Sequence, residues 1–169
     1  MPRGKADEVG WVTALNQEII LDHRHFSTEP LHVFFDKQDI VDMDDWRHRI
    51  LRGIRTSKIL LVCISPNYLQ SPYCQWELEE YCRRQSDRGI GQDSIATVYF
   101  VDVPGWGNII RSDCYSLLQR SQYTDLRPWF PEGVAKLRDD AVRRRIAALG
   151  ASLWERIQRS RMVVPCAET

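Results

Sequence analysis

A tyrosine and a glutamate four residues apart, Tyr73 and Glu77, form the pair whose types and spacing best suit chemistry. They follow Ser71, a good N-cap, and Pro72, which fits the first position of a helix. Both therefore lie on a predicted helix and share one of its faces. A carboxylate beside an aromatic ring can stabilise a developing positive charge. The simpler interpretation is that Glu77 is a solvated acid favoured by the helix dipole and that Tyr73 only packs.

Further candidates flank this helix along the chain. Asp36 opens an acidic stretch, residues 36–45, with five acids in ten positions. A turn followed by helix caps would explain these acids without any functional role. Trp46 falls on the apolar side of the next predicted helix, where a core residue is expected. Ser65 ends an apolar run and is expected to cap the residues that follow it.

Hydrophobic periodicity divides the chain into alternating helices and strands. Helices are predicted over residues 7–22, 43–54, 72–84 and 112–119, and from 142 to 157. Strands are predicted over residues 31–35, 59–64 and 95–101, with a weak edge strand over 122–126. On the first helix the predicted buried stripe is Val9, Val12, Leu15 and Ile19, with Trp11 beside it.

This alternation predicts an α/β domain in which a parallel sheet lies between two layers of helices. Residues 59–64 are continuously apolar, which is typical of a strand buried on both faces. Ligands of such sheets bind where the strands end. Asp36, Ser65 and Asp102 are therefore expected at one edge, together with the start of the helix that carries Glu77.

The composition bounds the class of protein. The 169 residues suit one domain, predicted over residues 1–160, with a tail over 161–169. The 23 basic and 23 acidic side chains balance, which argues against a nucleic-acid partner. No apolar run approaches the roughly 20 residues of a membrane span, and the N-terminus lacks a signal-peptide core.

The cysteines are five in number and include no C-x-x-C pair. A disulfide framework and a zinc site are therefore not expected, and reduced thiols in the cytoplasm fit better. Cys74 invites comparison with a catalytic nucleophile, but no suitably spaced histidine accompanies it.

The motifs of residues 31–81 together resemble a known family. V-F-F-D is followed by an acidic loop, a helix with W-x-x-x-I, and a strand that ends in S-P-N-Y-L-Q-S-P-Y-C-Q-W-E. This combination is similar to a Toll/interleukin receptor (TIR) domain of bacterial type. The resemblance implies a flavodoxin-like fold with five parallel strands in the order B-A-C-D-E.

The resemblance also implies a function. Many TIR domains cleave NAD⁺ into nicotinamide and ADP-ribose or a cyclic isomer, and in those the glutamate at the position of Glu77 is catalytic. Tyr73 matches the aromatic residue that stacks on substrate, where tryptophan is common. Asp36 and the 36–45 loop would gate the site and contact other TIR domains. Trp46 and Ser65 are the remaining candidates for substrate contact, and neither a metal nor a cofactor besides the substrate is implied.

The family implies partners as well. Active relatives build their site by TIR–TIR self-association, and either a separate sensor protein or a small molecule would supply the trigger in antiphage defence or signalling. The alternative is a non-enzymatic adaptor that uses the same loop to bind other TIR domains. A response-regulator receiver shares the fold, but it would need a phosphorylatable aspartate where residues 59–64 end in Ser65.

The sequence departs from the family at its beginning. The family's first strand, which is central in the sheet, has no counterpart before the helix at residues 7–22. Three explanations are open: a start assigned too late, another segment or chain in the strand's place, or an inactive domain.

Overall fold

The computed structural model describes residues 5–33, 51–87, 94–106, 113–120 and 123–162. The predicted 36–45 loop, Asp36 and Trp46 lie outside these residues. Among the described residues, no helix combines the length and the apolar character that crossing a membrane requires.

A parallel sheet of three strands forms the centre of the described structure. The strands are β1 (Leu60–Ile64), β2 (Ile95–Tyr99) and β3 (Tyr123–Asp125), in the order β1-β2-β3. Leu60 is in register with Ile95, and Thr97 with Tyr123. The strands predicted over 59–64, 95–101 and 122–126 are confirmed, and so is the α/β class with a parallel sheet.

Helices connect the strands and cover the sheet. They are α1 (Lys5–His23), helical residues 51–56 (α2), α3 (Pro66–Gln70), α4 (Pro72–Asp87), α5 (Asp113–Arg120) and α6 (Asp140–Met162). Two 3-10 turns, Phe130–Glu132 and Val134–Arg138, lead from β3 into α6. The helices predicted near 7–22, 72–84, 112–119 and 142–157 are all present.

Both faces of the sheet are buried, because neighbouring residues of β2 point to opposite sides. Ala96 and Val98 join a cluster with the buried faces of α1 and α6, whereas Ile95 and Tyr99 join a cluster with α4 and α5. The described structure is therefore a three-layer sandwich. The layer with α4 and α5 carries the candidate helix, and the layer with α1 and α6 supports the sheet from the opposite side.

The buried stripe of α1 differs from the predicted one. Trp11, Leu15 and Ile19 are buried, but Val9 is exposed, and Glu8 takes the place expected for an apolar residue. Trp11 lies flat on Phe100 with ring centroids 4.8 Å apart. The large indole lies at the centre of the contact, which rotates the helix relative to the stripe predicted from the aliphatic residues alone.

Two further expectations need correction. Residues 31–33 pair with no strand in the described part of the chain, so the strand predicted over 31–35 is not seen in its first three residues. The expectation of reduced thiols is wrong for Cys82 and Cys114, which form a disulfide. Packing of α4 and α5 on the same face brings these residues, 32 apart in sequence, to a Cα–Cα distance of 6.3 Å. Sequence spacing alone gives no sign of that approach.

Candidate active site

The candidate pair lies in the first turns of α4. Tyr73 and Glu77 are both half-buried, and Tyr73 packs against the cluster of α4 and α5. Trp76, between them in sequence, packs against the same cluster. Tyr73 and Glu77 are four positions apart in the helix, so their side chains lie one turn apart on the same face. Their roles toward a substrate stay predictions.

Hydrogen bonds fix the start of α4. Ser71 Oγ accepts a bond from the Cys74 N–H at 3.3 Å, as the predicted N-cap requires. The Gln75 side-chain amide donates to the Leu69 carbonyl at 2.8 Å and so ties the new helix back to α3. Since α3 and α4 meet at Ser71, the direction in which α4 leaves the sheet depends on where α3 lies.

Ser65 fixes the start of α3 in turn. Its backbone is extended, with φ −150° and ψ 165°, and its Oγ accepts a bond from the Tyr68 N–H at 3.1 Å. The predicted local cap is therefore confirmed. Ser65 Oγ also donates to the Glu8 carboxylate at 2.9 Å. Both of these hydrogen bonds of the Ser65 hydroxyl are to other residues of the protein. Contact between Ser65 and a substrate stays a prediction.

Glu8 is a residue whose environment the sequence did not reveal. Only 9% of it is exposed, and it links α1 to the end of β1 across 57 residues. An acid in the first turns of a helix is usually explained by the helix dipole. The signal that would have indicated burial is its spacing, since Glu8 lies three residues before Trp11 and seven before Leu15, on the same stripe.

An ion-pair network lies at the edge of the sheet where the strands end, just beyond β2 and β3. Arg127 makes a two-point contact with Asp125, with its Nη2 2.9 Å from Oδ2, and its Nη1 reaches Asp102 at 3.1 Å. Its guanidinium lies 4.1 Å from the centroid of the Tyr99 ring. The hydrogen bond from Arg127 holds the pKa of Asp125 below its ordinary value. Asp102 thus lies at the predicted edge, but its charge is balanced by an arginine that sequence reasoning did not single out.

The thiol of Cys63 is not activated. Cys63 lies within β1, and burial raises the pKa of its thiol to about 12. A thiol with that pKa is protonated at neutral pH and is a poor nucleophile. In the described part of the chain, no group of three or more histidine, cysteine, aspartate and glutamate side chains could hold a metal ion.

A surface cleft lies on the opposite side of the sheet from α4. Its volume is about 450 Å³, and it is bounded by the end of α1, the 3-10 turn Val134–Arg138 and α6. The Arg138–Glu18 ion pair, 3.1 Å between Nε and Oε1, crosses it. Since Tyr73 and Glu77 lie in the other helical layer, this cleft does not contain the candidate pair.

Comparison with known proteins gives one family. A sequence profile of the family described as TIR domain matches residues 21–138, more than half of the chain. The matched segment contains Tyr73 and Glu77. No curated protein and no solved structure matches this chain.

Proposed function

Because this chain belongs to the TIR domain family, we propose that it cleaves NAD⁺ and releases nicotinamide together with ADP-ribose or a cyclic isomer. The observation that supports this proposal is the placement of Tyr73 and Glu77. Both are half-buried on one face of α4, close to where that helix begins. Half-burial leaves a side chain able to touch a ligand while its own position is held by packing.

The proposed reaction asks little of the protein. The nicotinamide of NAD⁺ is already a pyridinium, so it leaves without a proton from a general acid. The ribosyl cation that develops resembles the transition state of glycoside hydrolysis. Attack by water, which loses a proton to the solvent, then gives ADP-ribose, and attack by a nucleophilic atom of the same molecule gives the cyclic isomer. The Glu77 carboxylate stabilises that cation electrostatically, and the Tyr73 ring provides a flat surface for the nicotinamide riboside.

The remaining candidates belong to the same proposal. Asp36 and the 36–45 loop gate the site and contact a second TIR domain, and Trp46 and Ser65 border the substrate. Self-association completes the site, and a separate sensor protein supplies the signal. The biological role is antiphage defence or signalling in a bacterium, carried by a single domain over residues 1–160.

The test is consumption of NAD⁺ by purified protein at high concentration, with nicotinamide and ADP-ribose species followed by chromatography. Glu77→Gln should lower kcat by about 100-fold or more, because it removes the charge that stabilises the transition state. Glu79→Gln is the matched control: it makes the same change on an exposed residue of the same helix and should leave the rate unchanged.

Two outcomes would contradict the proposal. Equal rates for wild type and Glu77→Gln would remove Glu77 from the mechanism. Absence of NAD⁺ cleavage at every protein concentration, and with crowding agents, would favour the adaptor function. In that case, purified protein should still bind other TIR domains.

A further inference from the structure

The buried carboxylate of Glu8 lies at the start of a series of contacts that ends at the candidate pair. We infer that Glu8 is a positioning residue for Tyr73 and Glu77; this inference rests on the proposed function of that pair. Glu8 acts through Ser65 and the two helix caps that follow it, without touching the substrate.

The first contact fixes the orientation of the Ser65 hydroxyl. A hydroxyl has one proton to donate, and Ser65 Oγ donates it in a hydrogen bond to Glu8 Oε2, 2.9 Å away. The oxygen then presents its lone pairs to the Tyr68 N–H at 3.1 Å. A bond to a carboxylate is stronger than one to a neutral acceptor, and Ser65 is only 2% exposed, so water competes little for the proton.

Further hydrogen bonds connect the cap at Ser65 to the start of α4. The cap at Ser65 sets the start of α3, which is only five residues long. At its end, the Ser71 N–H bonds to the carbonyls of Asn67 and Tyr68, at 3.1 and 3.3 Å, and Ser71 Oγ caps α4 at Cys74. A helix this short cannot absorb a displacement of its start. A shift at Ser65 therefore reaches Ser71 and rotates Tyr73 and Glu77 together.

Burial explains why Glu8 is suited to this role. Glu8 continues the stripe that Trp11 and Leu15 bury against the sheet, so α1 holds it in place. A buried carboxylate is costly unless it is hydrogen-bonded, which makes the bond to Ser65 one that the fold maintains. The first helix of one layer thereby sets the position of a helix in the other layer.

Two substitutions of Glu8 distinguish the effect of its side-chain length from the effect of its charge. Glu8→Gln keeps the length of the side chain and an oxygen that can accept from Ser65, but loses the charge. Glu8→Asp keeps the charge and shortens the side chain by one methylene. We expect Glu8→Gln to retain at least about a third of wild-type kcat for NAD⁺ cleavage and Glu8→Asp to lose about tenfold or more, with KM changed less than kcat. Glu155→Gln and Glu155→Asp, at an exposed residue of α6, are the matched controls.

Amide hydrogen exchange tests the inference without any activity. In Glu8→Asp, peptides covering residues 66–77 should exchange about tenfold faster than in wild type, whereas peptides of α6 should not change. Glu8→Gln should stay close to wild type in both regions. If residues 66–77 exchange faster in Glu8→Asp but the wild type does not cleave NAD⁺, the proposed function is refuted. The dependence of the Ser65 cap on Glu8 is then still supported.

Three results would overturn the inference. Unchanged exchange of residues 66–77 in Glu8→Asp would show that the cap does not depend on Glu8. Equal acceleration in α6 would show general destabilisation in place of a local effect. A loss of kcat of about tenfold or more in Glu8→Gln without faster exchange of residues 66–77 would show that Glu8 affects catalysis by a route other than the cap at Ser65. If Glu8→Asp does not fold, Glu8→Met takes its place with the same expected exchange, because it keeps the length of the side chain, removes the acceptor of the Ser65 hydroxyl and leaves the Ser65 cap on Tyr68 in place.

Discussion

At the scale of single residues, Arg127 contacts two carboxylates and an aromatic ring. Its guanidinium lies on the Tyr99 ring, holds Asp125 at two points and reaches Asp102. Planar two-point contact with a carboxylate is the geometry for which arginine is suited and lysine is not. The ion pair therefore fixes the segment after β3 to the end of β2.

The pH dependence of stability follows from this ion pair. The pKa of Asp125 is lowered in the folded state, so its contribution is present above the unfolded-state pKa of about 3.9 and is lost as pH falls through the lower folded-state pKa. Asp125→Asn should reduce the free energy of unfolding by about 1–3 kcal/mol at pH 7. Urea titrations from pH 7 to pH 3 should show this difference shrinking below about pH 4.

A suitable control for Asp125 is Glu155→Gln, because Glu155 is 71% exposed and lies 4.0 Å from Arg159. An ion pair in that setting contributes little, so the variant should follow wild type throughout the titration. A difference between wild type and Asp125→Asn that stays constant down to pH 3 would contradict the assigned role of the charge.

At the scale of elements, the Cys82–Cys114 disulfide joins the candidate helix α4 to α5. A cross-link between distant residues restricts the unfolded chain, and reduction should lower the free energy of unfolding by about 2–4 kcal/mol. Denaturant unfolding of wild type with and without dithiothreitol measures this difference. The double variant Cys82→Ser/Cys114→Ser is the control, since its stability should match reduced wild type and should not respond to the reductant. A wild type that is equally stable in both conditions would contradict the prediction.

The elements also show what could be predicted from sequence. Residues 59–64 and 95–101 were recognisable as strands because their apolar runs have turn residues at both ends, and Ser71-Pro72 marked the start of α4. Periodicity reports which face of an element is apolar, but it does not name the partner across the fold. The Glu8–Ser65 bond spans 57 residues and the disulfide spans 32, so neither leaves a local signal. Tyr73 and Glu77 could be selected as candidates because both belong to one short motif, and their roles stay predictions.

At the scale of the whole molecule, the charge balance bears on self-association. The chain carries 23 basic and 23 acidic residues, and its pI is about 6.9. Copies therefore repel one another least near neutral pH. We expect sedimentation velocity at low salt to show larger species at pH 7 than at pH 9, where the net charge is negative. A distribution that is the same at both pH values and all concentrations would contradict self-association driven in this way.

The pairing of α1 with α6 has a consequence for synthesis on the ribosome. His23 packs on Trp154 of α6, and Glu18 pairs with Arg138, 120 residues later, in the 3-10 turn that precedes α6. At about 5–20 residues per second, a nascent chain displays Trp11, Leu15 and Ile19 for several seconds or more before α6 emerges to cover them. Chaperones that recognise apolar helices would meet α1 in that interval, and the layer that supports the sheet closes only after the strands have been made.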